Sequence, residues 1–168
     1  MKNILILLTF LTGCTGIPKG VTAINDFEVN RYLGQWYEIA RLDHRFERGL
    51  SKIKAEYSLQ TDGGIKVVNS GYNAETGAME SAEGKAYFIN KPNVGRLKVS
   101  FFGPFYGGYN IIALDKNNYS YAMVAGPDFE YLWILSRTPK IGKETLDTLI
   151  AKAHSLGFAT DKLIYTDQ

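Results

Sequence analysis

Residues 52–60 read KIKAEYSLQ and alternate polar and apolar side chains without interruption. A period of two puts the apolar side chains on one face of a β-strand and the polar ones on the other. This stretch therefore predicts a strand with one buried and one solvated face. Residues 96–101, RLKVSF, show the same alternation. The turn residues Asp62, Gly63 and Gly64 follow the first strand and predict a hairpin.

Similar short segments recur on both sides of this strand, separated by turns rich in Gly, Pro, Asn and Asp. Eight strands joined in order by short turns favour an all-β, antiparallel up-and-down barrel, because closure leaves no free strand edge. The eight predicted strands cover residues 34–43, 52–60, 65–73, 79–90, 95–102, 109–115, 119–125 and 130–137.

The later strands are apolar on both faces, as in IIAL at 111–114 and LWIL at 132–135, so they need a cover outside the barrel. Residues 143–157 supply one, because their apolar side chains recur at helical spacing. The sequence thus predicts one C-terminal α-helix packed outside the barrel on the last three strands. Gly157 is its expected end, and a short strand at 163–165 can follow.

Charge and composition argue against several classes of protein. The 168 residues carry 19 basic and 17 acidic side chains, and a net charge of +2 is too small to predict a nucleic-acid partner. Two histidines and one cysteine are too few for a structural zinc site, and no cofactor is expected. The sequence contains no G-x-S-x-G motif, and neither His44 nor His154 has a partner at catalytic spacing. A binding protein is therefore favoured over an enzyme.

Residues 1–13 predict a lipoprotein signal peptide. Lys2 precedes an apolar run at 4–11 that is too short to span a bilayer. The run ends in LTGC, which resembles the lipobox of bacterial lipoproteins, so Cys14 is the expected lipidation site. Residues 14–26 then form a lipidated tether, and Thr15 in place of Asp implies sorting to the outer membrane. An ordinary secretory signal with an incidental cysteine is the alternative.

The barrel region, residues 27–168, resembles the lipocalins. Gly34 and Trp36 match the family's G-x-W motif, Asp115 and Tyr119 lie at a turn similar to its second motif, and Arg137 resembles its third. This resemblance implies that Trp36 closes one end of the barrel, with Arg137 lying across its ring. The stretches GQWYEIARLDHRFERGL at 34–50, KVSFFGPFYGGYN at 98–110 and GPDFEYLWILSRTP at 126–139 are closely similar to bacterial outer-membrane lipocalins.

Alternation counted from Trp36 and Arg137 predicts which side chains face the interior, Leu42 and Ala113 among them. The set mixes aromatic rings, small residues and a few polar groups, as small-molecule sites do. Side-chain sizes alone leave a filled core equally open, whereas the family resemblance implies a cavity. The expected ligand-binding residues are Glu38, Ala40, Tyr57, Val67, Asn69, Phe88, Val99, Phe101, Tyr109, Ile111, Val124, Tyr131 and Trp133.

The resemblance implies a small hydrophobic ligand, a fatty acid such as palmitate or a lysophospholipid, stored or transported for maintenance of the cell envelope, including under stress. Two alternatives remain: an envelope assembly protein with a filled barrel and a protein partner, and a lipid-modifying enzyme using Glu38 as a base. Phe105 and Tyr106, in a glycine-rich loop, could meet a membrane or a second subunit, and packing onto their own barrel is equally open. A homodimer is thus a further open alternative.

Overall fold

The computed structural model describes residues 15–168, so the predicted signal peptide and Cys14 lie outside the described residues. The predicted eight-stranded antiparallel barrel is confirmed. A short helix, α1 (Val29–Tyr32), precedes it. The strands are β1 (Gly34–Arg41), β2 (Leu50–Leu59), β3 (Ile65–Asn73), β4 (Ala78–Phe88), β5 (Arg96–Phe102), β6 (Phe105–Leu114), β7 (Tyr121–Ala125) and β8 (Leu132–Ser136).

Each strand pairs with the next, and β8 pairs with β1 to close the barrel. The two ends of the barrel differ. At one end, which we call the base, α1 leads into β1 and the chain leaves β8. The loops at residues 42–49, 74–77, 103–104 and 126–131 lie at the other end, which we call the open end.

The predicted outer helix is confirmed as α2 (Lys143–Leu156). Gly157 ends it with φ of +101°, a conformation that favours glycine. Leu149 and Ala153 of this helix are buried in a cluster with Ile112, Met123 and Ile134 from the outer faces of β6, β7 and β8. The apolar outer faces of the later strands are therefore covered. No helix within residues 15–168 has both the length and the apolar character needed to cross a bilayer.

The seam between β1 and β2 is filled by the C-terminal residues. β1 pairs directly with β2 only over Gly34–Tyr37. Its upper half pairs instead with β9 (Ile164–Tyr165). On the other side of this tail, the Lys52 N–H donates to the carbonyl oxygen of Asp167 at 2.7 Å. The sequence predicted a short strand here but not its position within the barrel wall.

At two β-bulges the observed orientation of the side chains differs from the predicted one. A register shift between Glu38 and Ala40 turns Ala40 outward beside Ile134, under α2, and Arg41 faces inward beside Trp133. The prediction that Ala40 and Leu42 face the interior is wrong, because a bulge inserts one residue and reverses the alternation beyond it. A second shift, between Ile111 and Ala113, likewise places Ala113 in the outer cluster.

Candidate ligand-binding site in the barrel

The base of the barrel is closed by Trp36 and Arg137. Trp36 is fully buried, and its indole N–H donates to the carbonyl oxygen of Tyr32 at 2.8 Å. The Arg137 guanidinium lies 3.9 Å from the centre of the Trp36 ring. Its nitrogens donate to the carbonyl oxygens of Arg31, Gln35 and Tyr119 at 2.7, 2.9 and 3.2 Å. One cation thus stacks on the ring while joining three segments of the chain.

The turn between β6 and β7 is organised by Asp115, whose carboxylate accepts hydrogen bonds from the backbone N–H groups of Asn117 and Asn118. The hydrogen bond from the Ser120 hydroxyl, followed by these backbone bonds, lowers the pKa of Asp115. The buried Tyr119 hydroxyl accepts from the Glu28 N–H at 3.0 Å, which ties this turn to the segment before α1. Asp115, Tyr119 and Gly34 therefore lie in the framework of the base and away from the interior cavity.

Three tyrosines converge just above the base. The Tyr109 hydroxyl lies 2.7 Å from that of Tyr32 and 2.8 Å from that of Tyr57. Burial raises the pKa of all three phenols, so they stay neutral. Three O–H donors share two mutual contacts, which leaves one hydroxyl proton available to a polar atom in the interior.

The cavity beside these tyrosines is small. It is lined by apolar and aromatic side chains: Phe27, Tyr32, Tyr57, Ile65, Val67, Ala86, Leu97, Val99 and Tyr109. Its water-accessible volume is about 10 Å³, roughly the space that one water molecule requires. Four of the predicted ligand-binding residues, Tyr57, Val67, Val99 and Tyr109, are among its lining.

Most of the other predicted interior residues pack above or around this cavity. Ile111 and Val124 are buried in the same interior cluster, and Phe88, Phe101 and Trp133 are partly buried against it. The buried side-chain carbonyl oxygen of Asn69 has no hydrogen-bond partner among the described residues. This part of the interior is thus largely apolar, with isolated polar atoms.

The open end carries a buried polar cluster around Glu47. Its carboxylate accepts from the Trp133 indole N–H at 3.1 Å and lies 3.0 Å from Nε2 of His44. Although burial opposes ionisation, these two neighbours hold the pKa of Glu47 below its usual range. The His44 ring packs 5.1 Å from Trp133 and 5.9 Å from Tyr131, between ring centres. The loop at residues 42–49 is thereby held against the mouth of the barrel.

Glu38 and Arg41 form a buried ion pair in the upper half of β1, with 2.8 Å between Oε1 and Nη1. Glu38 also accepts a hydrogen bond from the Thr166 hydroxyl of the C-terminal tail. Burial, followed by the negative charge of Glu47, raises the pKa of Glu38 to about 8. Arg41 reaches the neighbouring loop as well, since its Nη2 donates to the carbonyl oxygen of Glu47 at 3.0 Å.

The raised pKa of Glu38 predicts a pH-dependent stability. The pKa is about 8 in the folded chain against an ordinary value of 4.5, so this contribution is fully present below pH 4.5 and is lost as the pH rises through 8. Between pH 5 and 8, we expect the wild-type free energy of unfolding to fall by roughly 3 kcal/mol more than that of Glu38→Gln. Urea unfolding at both pH values measures the difference. An equal change in the free energy of unfolding between the two pH values in both proteins would contradict the prediction.

Several of these groups could not be predicted from the sequence. Tyr32 and Phe27 precede the first strand, and alternation carries no information about residues outside strands. Arg41, His44 and Glu47 are charged or polar residues in and beside a loop, where solvent exposure is the usual expectation. In the part of the chain that the structure describes, no group of three His, Cys, Asp or Glu side chains is placed to hold a metal ion.

The chain is similar in sequence to several known proteins over most of its length. A family model described as a lipocalin-like domain matches residues 27–168. The outer membrane lipoprotein Blc of Vibrio cholerae is 55% identical over 170 residues, which cover 100% of this chain and 99% of that protein. The protein of the same name from Escherichia coli K12 is 58% identical over 151 residues, or 90% of this chain and 85% of the relative.

More distant relatives share the fold. Temperature-induced lipocalin-1 of Arabidopsis thaliana is 35% identical over 159 residues, covering 89% of this chain and 84% of the plant protein. The solved structure of insecticyanin from the tobacco hornworm, Manduca sexta, superposes with a TM-score of 0.72 at 26% identity. That match covers 92% of this chain and 87% of the insect protein.

Proposed function

The chain belongs to the lipocalin family, and on that premise we propose that it is an outer-membrane lipoprotein, anchored through Cys14, whose barrel binds the acyl chain of a fatty acid or a lysophospholipid. It stores or transports this lipid for maintenance of the cell envelope, including under stress. It acts as a binding protein and not as an enzyme.

Two observations support the anchor. Cys14 ends a short apolar run in the sequence LTGC, as expected of a lipidated cysteine. Relatives that are 55% to 59% identical are named outer membrane lipoproteins. A diacylglyceryl group with a further acyl chain supplies the two or more hydrophobic signals that stable anchoring requires.

The proposed ligand rests on one observation, the apolar interior of the barrel. Its lower half is lined by Val67, Val99, Ala86 and tyrosine rings, with neutral phenols as its polar groups. A charged headgroup would be costly to bury there. An acyl chain, in contrast, is stabilised by about 0.8 kcal/mol for each methylene group that binding removes from water. We therefore place the acyl chain toward the base and the headgroup toward Glu47, His44 and Arg41 at the open end.

Binding an acyl chain requires interior side chains to move, because the cavity has room for only about one water molecule. Phe88, Phe101 and Trp133 are only partly buried against the interior cluster. They are the side chains expected to rotate away from the axis when the ligand enters. This rearrangement lowers the affinity by its own free-energy cost.

Filling the interior is expected to abolish binding. In Val99→Trp the indole would occupy the cavity that Val99 lines. We expect native mass spectrometry to show a one-to-one adduct of palmitate or a lysophospholipid on the wild type and none on this variant. Lys98→Trp is the matched control, because residue 98 is adjacent on β5 and its side chain packs on Tyr106, on the opposite face. This control should retain the adduct.

An equal adduct on both variants would show that lipid binds elsewhere on the protein. Absence of any adduct on a folded wild-type barrel would favour the second candidate function, an envelope assembly lipoprotein with a filled barrel and a protein partner. The small cavity volume is the observation that favours that candidate. The enzyme alternative is weakened by the ion pair with Arg41, which occupies the Glu38 carboxylate.

A further inference from the structure

The three tyrosine hydroxyls at the floor of the cavity carry one proton more than they can share. The Tyr109 oxygen lies between the other two, 2.7 Å from that of Tyr32 and 2.8 Å from that of Tyr57. Each hydroxyl has one proton, so the two contacts use two of the three protons in any arrangement of donors and acceptors. Within residues 15–168 the three oxygens have no other hydrogen-bond partner. The third proton therefore has no acceptor in this part of the chain.

The fold holds these hydroxyls against the cavity. The tyrosines come from α1, β2 and β6, and the other side chains that line the cavity are apolar. Burial keeps the phenols neutral, so the unshared proton is not lost by ionisation. A hydroxyl hydrogen rotates about its C–O bond toward an acceptor. The acceptor for this proton is therefore expected on the molecule that occupies the cavity.

A second unshared polar atom lies farther up the same wall. Asn69 is opposite Ala55 of β2, whose side chain packs against the interior cluster, so the two residues share the inner face. The side-chain oxygen of Asn69 is buried and accepts no hydrogen bond from any described residue. Along β3, Asn69 lies two residues, or roughly 7 Å, from Val67 of the cavity lining, in the direction of the open end. The interior thus offers both an unshared donor and an unshared acceptor.

The size of the cavity fits a hydroxyl group. Its volume of about 10 Å³ is roughly the space of one water molecule. The methyl end of an acyl chain can enter this space but accepts no hydrogen bond, so the phenol proton would stay buried without a partner. A hydroxyl accepts from the phenol and has a proton of its own to donate, as a water molecule does. A carboxylate would also accept, but its charge is costly to bury among apolar side chains.

We infer that the barrel prefers acyl chains that carry a hydroxyl group at the end distant from the headgroup, and that Tyr32, Tyr57 and Tyr109 recognise this group. The inference rests on the proposed function, because it needs the acyl chain in the interior with its headgroup at the open end. The chain hydroxyl accepts from a phenol. It donates in turn to a phenol oxygen or, when it lies nearer the open end, to Asn69. A chain without the hydroxyl binds more weakly.

Three ligands of equal chain length test this preference: palmitate, ω-hydroxypalmitate and α-hydroxypalmitate. The two hydroxy acids have the same atoms and differ only in the position of the hydroxyl, at the far end of the chain or beside the carboxylate. Each is offered to the full-length protein with an equal amount of palmitate, and native mass spectrometry gives the ratio of the two adducts. We expect the ω-hydroxy adduct to exceed that of palmitate by roughly fivefold to tenfold, the effect of one buried hydrogen bond. The α-hydroxy adduct should equal that of palmitate.

Replacement of all three floor tyrosines by phenylalanine tests which residues recognise the hydroxyl. A single replacement is not enough, because the two hydroxyls that remain still hold an unshared proton. The combined variant Tyr32→Phe, Tyr57→Phe and Tyr109→Phe keeps the three rings and removes every phenol proton from the cavity lining. Its preference should reverse in favour of palmitate, because the chain hydroxyl then enters an apolar floor without a partner.

The matched control removes three hydroxyls from the outside of the barrel. Tyr37→Phe, Tyr72→Phe and Tyr106→Phe change rings that lie beside lysine side chains on the outer surface. This variant should keep the wild-type adduct ratios. Circular dichroism checks the fold of both variants, and the comparison of the two hydroxy acids on the wild type needs neither of them.

Four results would overturn the inference. Binding of palmitate by the wild type as well as, or better than, ω-hydroxypalmitate would refute the preference and leave the proposed lipid-binding function intact. Equal ratios for the two hydroxy acids would show that the position of the hydroxyl is not recognised. A preference that survives in the floor variant would assign it to other residues. Absence of all three adducts on a folded wild type would refute the lipid-binding function itself.

Discussion

Replacement of Trp36 by alanine is expected to lower the free energy of unfolding by about 3–5 kcal/mol. The indole is fully buried at the base, packs 4.8 Å from the Tyr32 ring between centres, and donates to the Tyr32 carbonyl. Its loss opens a cavity between α1 and the barrel and removes the ring on which Arg137 stacks. Urea unfolding followed by circular dichroism measures the change.

Tyr37→Ala is the control for this prediction. Tyr37 follows Trp36 in the same strand but is only partly buried, and its ring packs under the Lys54 ammonium at 5.4 Å. We expect the free energy of unfolding of that variant to fall by about 1 kcal/mol, the usual cost of a substitution at a partly exposed residue. Similar losses in the two variants would mean that Trp36 does not hold the base together.

Replacement of Arg41 by methionine is expected to lower the free energy of unfolding by about 3 kcal/mol at pH 10, where the buried Glu38 carboxylate is ionised and would lose its cation. Arg41 is 3% exposed and pairs with Glu38 inside the barrel, while Glu47 adds a second, largely buried carboxylate nearby. The cost should shrink toward pH 5, because Glu38, with a pKa of about 8, then takes up a proton and needs no counter-ion.

Arg48→Met, in the loop that follows β1, provides the comparison. Arg48 forms an ion pair of the same 2.8 Å length with Asp43, but both side chains are exposed. We expect that variant to leave the free energy of unfolding nearly unchanged at both pH values, because exposed ion pairs contribute little. A cost for Arg41→Met that is small or independent of pH would contradict the assignment of Glu38 and Arg41 as a buried pair.

The order and type of the elements followed from patterns that the chain carries locally. Each of these patterns is visible from residues that are close together in the sequence. They are the uninterrupted alternation at 52–60, the apolar side chains on both faces of 132–135, and the helical spacing in 143–157. The barrel, its outer helix and the glycine that ends that helix were all predicted on this basis, and the structure confirms them.

The interior could be predicted only where alternation runs without a break. Val67 and Val99 lie in such stretches and line the cavity. Ala40 does not lie in such a stretch, because the bulge at Ile39 reverses the alternation. Its small side chain fits either face, so its identity gives no warning of the reversal. The inward position of Arg41 opposes the usual outward placement of charge, and it depends on Glu38 together with the distant Thr166.

The sequence by itself therefore determined the number of strands, the closure of the barrel and the outer helix, since hydrophobic periodicity is a local property. The tertiary structure alone decided three further features: the reversals at the bulges, the C-terminal tail between β1 and β2, and the hydrogen bond that holds Gly16 against Asn110 of β6. Each joins residues far apart in the chain. Such contacts form only once closure brings the segments together, so no local pattern in the sequence records them.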